Sequence, residues 1–172
     1  MSRIRLPAVD ALSEDKKSQY RSFPANLTLA LLCTTQSTPG YLELGASFPH
    51  GAIANKDREM VILRVAALSN SRYERMQHFP LERAAGWTDA EIEQIKRGRG
   101  SDARSQAILN FVDECVRSVK VGDEAFAAVR AFFNDTQLAE LTLLIGHYMM
   151  TARFLETLEV PLDTSPTSWA NA

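Results

Sequence analysis

The sequence predicts an all-α fold, and three features carry this prediction. Apolar residues recur at steps of three and four along most of the chain, which is the spacing of one helix face. No stretch alternates apolar and polar residues over the length that a sheet requires. Residues typical of helix caps stand at the ends of the apolar segments. At 172 residues, a single domain over 1–172 is expected, with a core from about residue 20 to 160 and a polar tail over 161–172.

The first fifty residues carry the weakest helix signals. Residues 25–33 are apolar enough for a buried helix, and Pro39 can start another helix that runs toward Phe48. His50 is predicted to lie in the loop that follows.

The middle of the chain predicts a central helix followed by a sharp break. Apolar residues surround nearly the whole circumference of segment 60–68, as expected of a helix buried on all sides. Ser69-Asn70-Ser71 is the predicted break. In one unbroken helix Glu59 and His78 would lie roughly 28 Å apart, so they can meet only if the chain folds back between them.

Caps mark the helices of the second half. Gly86 suits a helix C-terminus, and Thr88 with Glu91 matches a capping box. Ser101-Asp102 offers a helix start, and Gly122 ends the helix that begins there. Asp123 can cap the next helix, and Asn134-Asp135 ends that helix and starts the last one. The helices predicted from these signals cover residues 89–96, 101–119, 123–133 and 135–158, with Pro161 closing the last. The polar tail over 163–168 is expected to be loosely ordered, with Trp169 free to dock on a neighbour.

Composition excludes several classes of function. The net charge of −2 comes from intermixed signs without a basic stripe, so nucleic-acid binding is not expected. No apolar run reaches the eighteen or so residues of a membrane span, which argues against a membrane role. The N-terminus lacks the apolar segment and cleavage site of a signal peptide, so a cytoplasmic location is expected.

Glu59, Glu74 and His78 are the leading candidates for chemistry, because they are proton-handling side chains framed by helix signals. Each carboxylate also has a structural explanation. Glu59 could complement a helix dipole in a first turn, and Glu74 could complete a capping box with Ser71. The four-residue spacing of Glu74 and His78 suits an ion pair or two metal ligands, but two ligands are too few to predict a metal site.

The two cysteines, Cys33 and Cys115, form neither a CxxC motif nor a metal-ligand spacing. Each is expected to pack as a small apolar side chain. In the last helix, Tyr148 falls on the apolar stripe and is interpreted as a core residue with a paired hydroxyl or as part of a site. Its neighbour His147 is expected to face a pocket or a subunit interface.

Several segments, in type and order, resemble the carboxymuconolactone decarboxylase family, also called the AhpD-like family. Arg58-Glu59 opens an apolar helix, and Tyr73-Glu74-x-x-x-His78 follows. The remaining segments are Ala84-Ala85-Gly86, Thr88-Asp89-Ala90-Glu91-Ile92 and Glu140-Leu141-Thr142-Leu143-Leu144-Ile145-Gly146-x-Tyr148. The resemblance covers most of the chain and implies an AhpD-like helical bundle, typically a homo-oligomer; a trimer or hexamer is expected, with a dimer as the alternative.

In the alkylhydroperoxidase branch of that family, a CxxC pair works with a glutamate and a histidine in a proton relay. The resemblance places the relay on Glu59 and His78 and the two cysteine positions on Ser71 and Glu74. A serine cannot form a disulfide, so the thiol chemistry of that branch is not expected at this site.

The decarboxylase branch implies acid and base catalysis on a small carboxylated lactone without a cofactor or metal. His78 or Glu59 is assigned to proton transfer, with Glu74 beside them, and Tyr73 is a candidate donor to a lactone oxygen. The candidate substrate-binding residues are Arg64, Arg72, Ser71, His147 and Tyr148, the arginines as carboxylate holders.

The leading hypothesis is therefore a decarboxylase-like enzyme acting on a small carboxylated or lactone-like molecule. An AhpD-like peroxidase is the first alternative. The second is a helical domain that only binds a small ligand or assembles with itself, in which Glu59, Glu74 and His78 form a structural network.

Overall fold

The computed structural model describes residues 2–167, and these residues form α-helices without any strand, which confirms the predicted all-α class. Short 3₁₀ turns cover Val9–Ala11 and Phe48–His50. Trp169 and its predicted docking lie outside the described residues. The helices are α1 (Glu14–Ser22), α2 (Asn26–Leu31), α3 (Ser37–Ser47), α4 (Asn55–Leu68), α5 (Arg72–Ala84), α6 (Asp89–Lys96), α7 (Ala103–Arg117), α8 (Asp123–Arg130) and α9 (Asp135–Leu158).

Helix α4 lies at the centre of the fold, as its all-round apolar sequence predicts. Residues 59–66 are buried without interruption, and α4 contacts α5, α6, α7 and α9. Burial of a helix on every side places any polar residue that it carries inside the protein. Glu59 is such a residue, and this is how the fold creates an internal carboxylate.

The chain reverses at the predicted break between α4 and α5. Asn70 adopts the left-handed conformation with φ of 52°, which asparagine tolerates better than most residues. The backbone N–H of Ser71 then donates to the carbonyl of Ala66 at 2.9 Å, and α5 starts at Arg72. The two helices therefore pack against each other, and their side chains can share a site.

The predicted caps of the second half are confirmed, with small shifts of position. Thr88, Asp102 and Asn134 each form a capping box at the start of α6, α7 and α9. Gly86 has φ of +94° just after α5, as a C-terminal glycine should. Helix α8 is the exception, because it is capped by Gly122 and ends at Arg130 rather than at Phe133.

The N-terminal region differs most from expectation. Helix α1 has no buried residue and no apolar face, so hydrophobic periodicity did not reveal it. Helix α2 ends at Leu31, which leaves Cys33 exposed in a turn rather than packed in the core as expected. Helix α3 starts at Ser37, since a proline such as Pro39 is tolerated in the first turn, where its missing N–H has no helical partner.

The tail residues that the structure describes are polar but held in place. Asp163 accepts hydrogen bonds from the backbone N–H of Asn26 at 2.8 Å and from Gln77 at 2.7 Å. The backbone N–H of Thr167 donates to Gln77 at 2.6 Å. These contacts differ from the loosely ordered tail that was expected. None of the helices in residues 2–167 is both long and apolar enough to cross a membrane.

Candidate active site

The side chains of Glu59 and His78 meet between α4 and α5. His78 Nδ1 lies 2.8 Å from Glu59 Oε2, and both side chains are almost fully buried. The fold-back at Asn70 thus removes the separation that an unbroken helix would impose. A hydrogen-bonded carboxylate and imidazole form an acid–base pair, because each can hold a proton that the other accepts.

The helix-dipole explanation for Glu59 does not fit its position. Glu59 is the fifth residue of α4, beyond the first turn, and the acid in the first turn is Asp57, which pairs with Arg104 instead. Burial favours a higher pKa for Glu59, but His78 and then Arg58 outweigh it and hold the pKa below its ordinary value. Glu59 is therefore an ionised carboxylate inside the protein.

Glu74 uses only half of the predicted capping box. The Ser71 hydroxyl accepts a hydrogen bond from the Glu74 backbone N–H at 3.3 Å, which caps α5. The Glu74 carboxylate makes no return bond to Ser71 among the described residues and lies 3.8 Å from His78 Nε2. Burial, assisted by Glu156, raises the pKa of Glu74 to about 7 against the opposing effect of His78. Glu74 and Glu59 thus hold protons at different pH, a difference typical of acid–base sites.

His78 has a carboxylate near each ring nitrogen. Burial alone would lower its pKa, but Glu59, then Glu74 and Glu82, raise it above the ordinary value. The ring of Tyr148 packs against the imidazole edge to face, with 5.2 Å between the ring centroids. The neighbouring carboxylates therefore favour the imidazolium form of His78, and Glu59 and Tyr148 hold its ring in a fixed orientation.

A large cavity of about 610 Å³ opens onto this pair. Its volume suits a small organic molecule. The walls come from α3, the Phe48–His50 turn, α4, α5 and α9 and are mostly apolar. The side chains that line it include Leu42, Phe48, Leu81, Arg58, Glu59, His78 and Tyr148.

Arg58 supplies the cation of the large cavity. Its Nε donates to Glu59 Oε1 at 3.3 Å, and its guanidinium also bonds Asn55. Only 13% of its side chain is exposed, so it is held beside the cavity rather than extended into solvent. The sequence reasoning did not assign Arg58 a role, although its position next to Glu59 was a signal.

The arginines expected to hold a carboxylate lie elsewhere. Arg64 is buried between α4 and α7, where it pairs with Asp113 at 2.7 Å and donates to the backbone carbonyl of Lys96. Arg72 is exposed at the start of α5. Neither residue lines the large cavity, so Arg58 takes their place as the candidate carboxylate holder.

Tyr73 and His147 also lie behind the site rather than in the large cavity. The Tyr73 hydroxyl donates to Asp163 and accepts from the backbone N–H of Leu27, so it is not free to serve a substrate. The His147 ring stacks near Tyr41, and its buried Nδ1 has no hydrogen-bond partner among residues 2–167. Burial, assisted by His78, lowers the pKa of His147 to about 4, which keeps this imidazole neutral. With Glu74 and His78, these two side chains line an inner cavity of about 30 Å³.

Tyr148 is the residue of α9 that reaches the large cavity. Its hydroxyl makes no hydrogen bond within residues 2–167, unlike the paired hydroxyl expected of a core tyrosine. Burial, and then the carboxylates of Glu74 and Glu59, raise the pKa of the hydroxyl well above its ordinary value. Tyr148 therefore remains a neutral phenol with a proton to donate.

The cysteines are not part of this site. Cys33 is exposed and Cys115 is half-buried against the main core, and both are free thiols. Burial, assisted by Glu114, raises the pKa of Cys115 to about 11. Within residues 2–167 no group of three or more His, Cys, Asp or Glu side chains is arranged to hold a metal ion.

The sequence reasoning also missed Glu82, which, like Glu74, is a buried carboxyl group four residues from His78 on α5. It lies one helical turn after His78 on the same face of α5, and it is fully buried. The four-residue spacing that linked Glu74 to His78 continues to Glu82, and this repeat was the available signal.

Solved structures of low sequence identity share the fold. An uncharacterized peroxidase-related protein from Ralstonia eutropha JMP134, with an alkylhydroperoxidase AhpD core, has a TM-score of 0.80 at 18% identity over 95% of this chain and 93% of that chain. A peroxidase-related protein from Silicibacter sp. TM1040 has a TM-score of 0.80 at 17% identity over 95% and 92%. A protein of unknown function from Agrobacterium tumefaciens, described as a candidate AhpD antioxidant defence protein, has a TM-score of 0.70 at 17% identity over 77% and 94%.

No protein-family model and no curated protein sequence matches the chain. At these identities a structural likeness establishes the fold and leaves the reaction open. The chain therefore has the AhpD-like helical fold.

Proposed function

We propose that the protein is an acid–base enzyme that binds a small carboxylated or lactone-like molecule in the large cavity and removes its carboxylate as carbon dioxide. The observation that carries the proposal is the buried Glu59–His78 pair, 2.8 Å apart, at the wall of a cavity of about 610 Å³. Such a pair can move a proton at a carbon atom of a bound ligand. The apolar lining would exclude water and strengthen the electrostatic interactions at the reacting group.

Arg58 is the proposed carboxylate holder. Its guanidinium lies in the wall of the large cavity beside Glu59. The forked donors of an arginine match the two oxygens of a carboxylate. A substrate held in this way would place its adjacent carbon near the Glu59–His78 pair.

Loss of carbon dioxide breaks the bond between the carboxylate and its carbon, and the electron pair of that bond enters the conjugated lactone. A proton then has to be added to carbon to complete the reaction. The proton shared by His78 Nδ1 and Glu59 Oε2 is the proposed source, since the shifted pKa values favour imidazolium beside carboxylate. The Tyr148 hydroxyl is a candidate donor to the lactone oxygen, where negative charge develops.

The test is a time course of 4-carboxymuconolactone consumption by the wild type and by the Glu59→Gln and His78→Ala variants. Glu43→Gln is the matched control, because Glu43 is an exposed carboxylate that lines the same cavity without contacting His78. We expect turnover in the wild type and control and a loss of about 100-fold or more in the other variants. A wild type that consumes neither this compound nor other small carboxylated lactones would contradict the proposal.

A thiol peroxidase is the competing candidate, because two of the similar structures belong to peroxidase-related proteins. The residues of this chain disfavour it. The Ser71 hydroxyl caps α5 by accepting a hydrogen bond from the Glu74 backbone N–H. The raised pKa of Cys115 keeps its thiol protonated and weakly nucleophilic. Hydroperoxide consumption with a dithiol reductant tests the candidate. Turnover that disappears in Cys33→Ser or Cys115→Ser would establish the peroxidase and contradict the decarboxylase proposal.

A ligand-binding or self-assembling domain without catalysis is distinguished by stability. If Glu59 and His78 only stabilise the fold, the wild type should show no turnover, and Glu59→Gln should lower the melting temperature or alter assembly. The expected homo-oligomer stays a prediction, which sedimentation equilibrium measures. Exposed Leu143 and Met150, seven residues apart on α9, lie on one helix face that could contribute to such an interface.

A further inference from the structure

Glu82 is a buried carboxyl group without a partner. Its residue exposure is 0%, and neither carboxylate oxygen has a hydrogen-bond partner among the described residues. A buried carboxylate with no donor is strongly unfavourable, whereas the protonated form carries no charge and its O–H can be donated. Such a group remains in a fold only where something else compensates, and function is one such reason.

Glu82 continues a row of ionisable side chains through the interior. Glu74, His78 and Glu82 follow each other at four-residue steps on the buried face of α5, and Glu59 of α4 faces them. The row passes from the inner cavity behind His78, along the wall of the large cavity, to Glu82.

Beyond Glu82 lies a second cavity of about 510 Å³, which shares no lining residue with the large cavity. Glu82 contributes to its wall together with Lys96 of α6 and Arg75 and Arg72 of α5. The cavity is more open than the large one, and Glu82 lies within its wall with both carboxylate oxygens covered by neighbouring groups.

The charges around Glu82 come from each helix packed against it. His78 lies on its own helix, Glu59 on α4 and Lys96 on α6. Burial is the largest influence and, with Glu59, raises the pKa of Glu82 to about 7, while His78 and Lys96 oppose the shift. Glu82 can therefore both release and accept a proton near neutral pH.

We propose that Glu82 is a proton-relay residue that connects His78 to solvent through the second cavity. No hydrogen bond joins Glu82 to His78 in the described part of the chain, so the transfer requires water that enters from the second cavity when its lining side chains shift. The Glu82 carboxylic acid then releases a proton through that water to the His78 imidazole, and the resulting carboxylate takes a proton back from solvent. The inference rests on the proposed function, because it explains how the Glu59–His78 pair regains the proton that it gives to carbon while the large cavity is occupied. Glu82 touches no substrate and acts only through His78.

The test measures proton exchange without any substrate. NMR saturation transfer gives the rate at which the His78 ring protons exchange with water near pH 7. Glu82→Gln keeps the shape of the side chain but cannot release a proton at this pH. Glu124→Gln is the control, because Glu124 is an exposed glutamate at the start of α8. We expect exchange roughly tenfold or more slower in Glu82→Gln and unchanged in Glu124→Gln.

Exchange that is equally fast in the wild type and in Glu82→Gln would overturn the relay, since the proton would then be travelling through the large cavity or through Glu74. If Glu82→Gln does not fold, Glu82→Met replaces the buried acid by an apolar side chain of similar length and is measured in the same way. A wild type without decarboxylase turnover would contradict the proposed function, but slower exchange in the variant would still support the relay. The two failures are therefore distinguishable.

Discussion

Replacing Glu59 by Gln should lower the pKa of His78 by about one to two units. The Glu59 carboxylate lies 2.8 Å from His78 Nδ1 and is 2% exposed, so water cannot replace it easily. A hydrogen bond to a charged partner contributes about 1.5–3 kcal/mol, and one pKa unit corresponds to about 1.4 kcal/mol. Removal of the negative charge therefore favours the neutral imidazole, and His78 should become protonated only at lower pH.

The assay is a pH titration of the imidazole resonances by NMR in the wild type and in Glu59→Gln. The chain has three histidines, which keeps the spectrum simple. His78→Ala identifies the resonance of interest, and burial of His147 gives that imidazole a pKa of about 4. A pKa of His78 that moves by less than about 0.3 unit would refute the reasoning, because the measured coupling would then be under about 0.4 kcal/mol.

The same pair predicts how stability depends on pH. The lowered pKa of Glu59 contributes stability above the ordinary value of 4.5, and this is lost as pH falls through the folded-state pKa. The raised pKa of His78 contributes stability below the ordinary value of 6.5, and this is lost as pH rises through the folded-state pKa. The difference in free energy of unfolding between wild type and Glu59→Gln should therefore be largest between about pH 4.5 and 6.5 and smaller on either side, as urea denaturation can measure.

Three further variants address neighbouring groups. Arg58→Gln should raise KM about tenfold or more, since it removes the cation of the large cavity, whereas the exposed Arg72→Gln should leave KM unchanged in steady-state assays. Arg64→Met should lower the free energy of unfolding by about 1–3 kcal/mol in urea, because it leaves half-buried Asp113 with only the exposed Arg117 as a cationic partner, and should leave turnover of the folded protein intact. The wild type should lose stability as pH rises from 4.5 toward about 7, because the raised pKa of the Glu74 carboxyl group stabilises the fold only while that group is protonated. Glu74→Gln should lack this part of the pH dependence.

Each of these variants has an outcome that would contradict its basis. Equal effects of Arg58→Gln and Arg72→Gln would mean that proximity to the cavity does not select the carboxylate holder. If a folded Arg64→Met protein lost turnover, Arg64 would have to take part in the active site. Identical pH profiles of unfolding for wild type and Glu74→Gln would mean that Glu74 is not a buried acid with a raised pKa.

A helix can be predicted from local sequence wherever an apolar stripe and a capping residue occur together. The capping boxes at Thr88, Asp102 and Asn134 need only side chains three residues apart, so the starts of α6, α7 and α9 are legible without any tertiary information. Helix α1 could not be predicted in this way, because it buries no residue and its sequence has no apolar periodicity. Hydrophobic periodicity indicates which face of a helix is buried, so it does not reveal a helix that is exposed all round.

The residue types of the site were readable from the sequence, but their assignments were not. Glu59 and His78 were identified because the predicted break at Asn70 allowed them to meet. Arg64 and Arg58 lie six residues apart on the same helix, and sequence alone gave no reason to prefer the second. The choice depends on which neighbour each faces, and Asp113 of α7 takes Arg64 away from the cavity.

The sequence by itself therefore determined the helical class, the buried central helix and the chain reversal that allows Glu59 and His78 to meet, because caps, periodicity and an all-round apolar segment are local properties of the chain. Tertiary structure alone decided that Arg58 lines the large cavity, that Tyr73 is committed to Asp163, and that Glu82 is buried without a partner. Those outcomes depend on distances between residues far apart in the chain. The physical reason is that charge, desolvation and hydrogen bonding act through space, so the pKa of a carboxyl group is fixed by its folded surroundings and not by its neighbours in sequence.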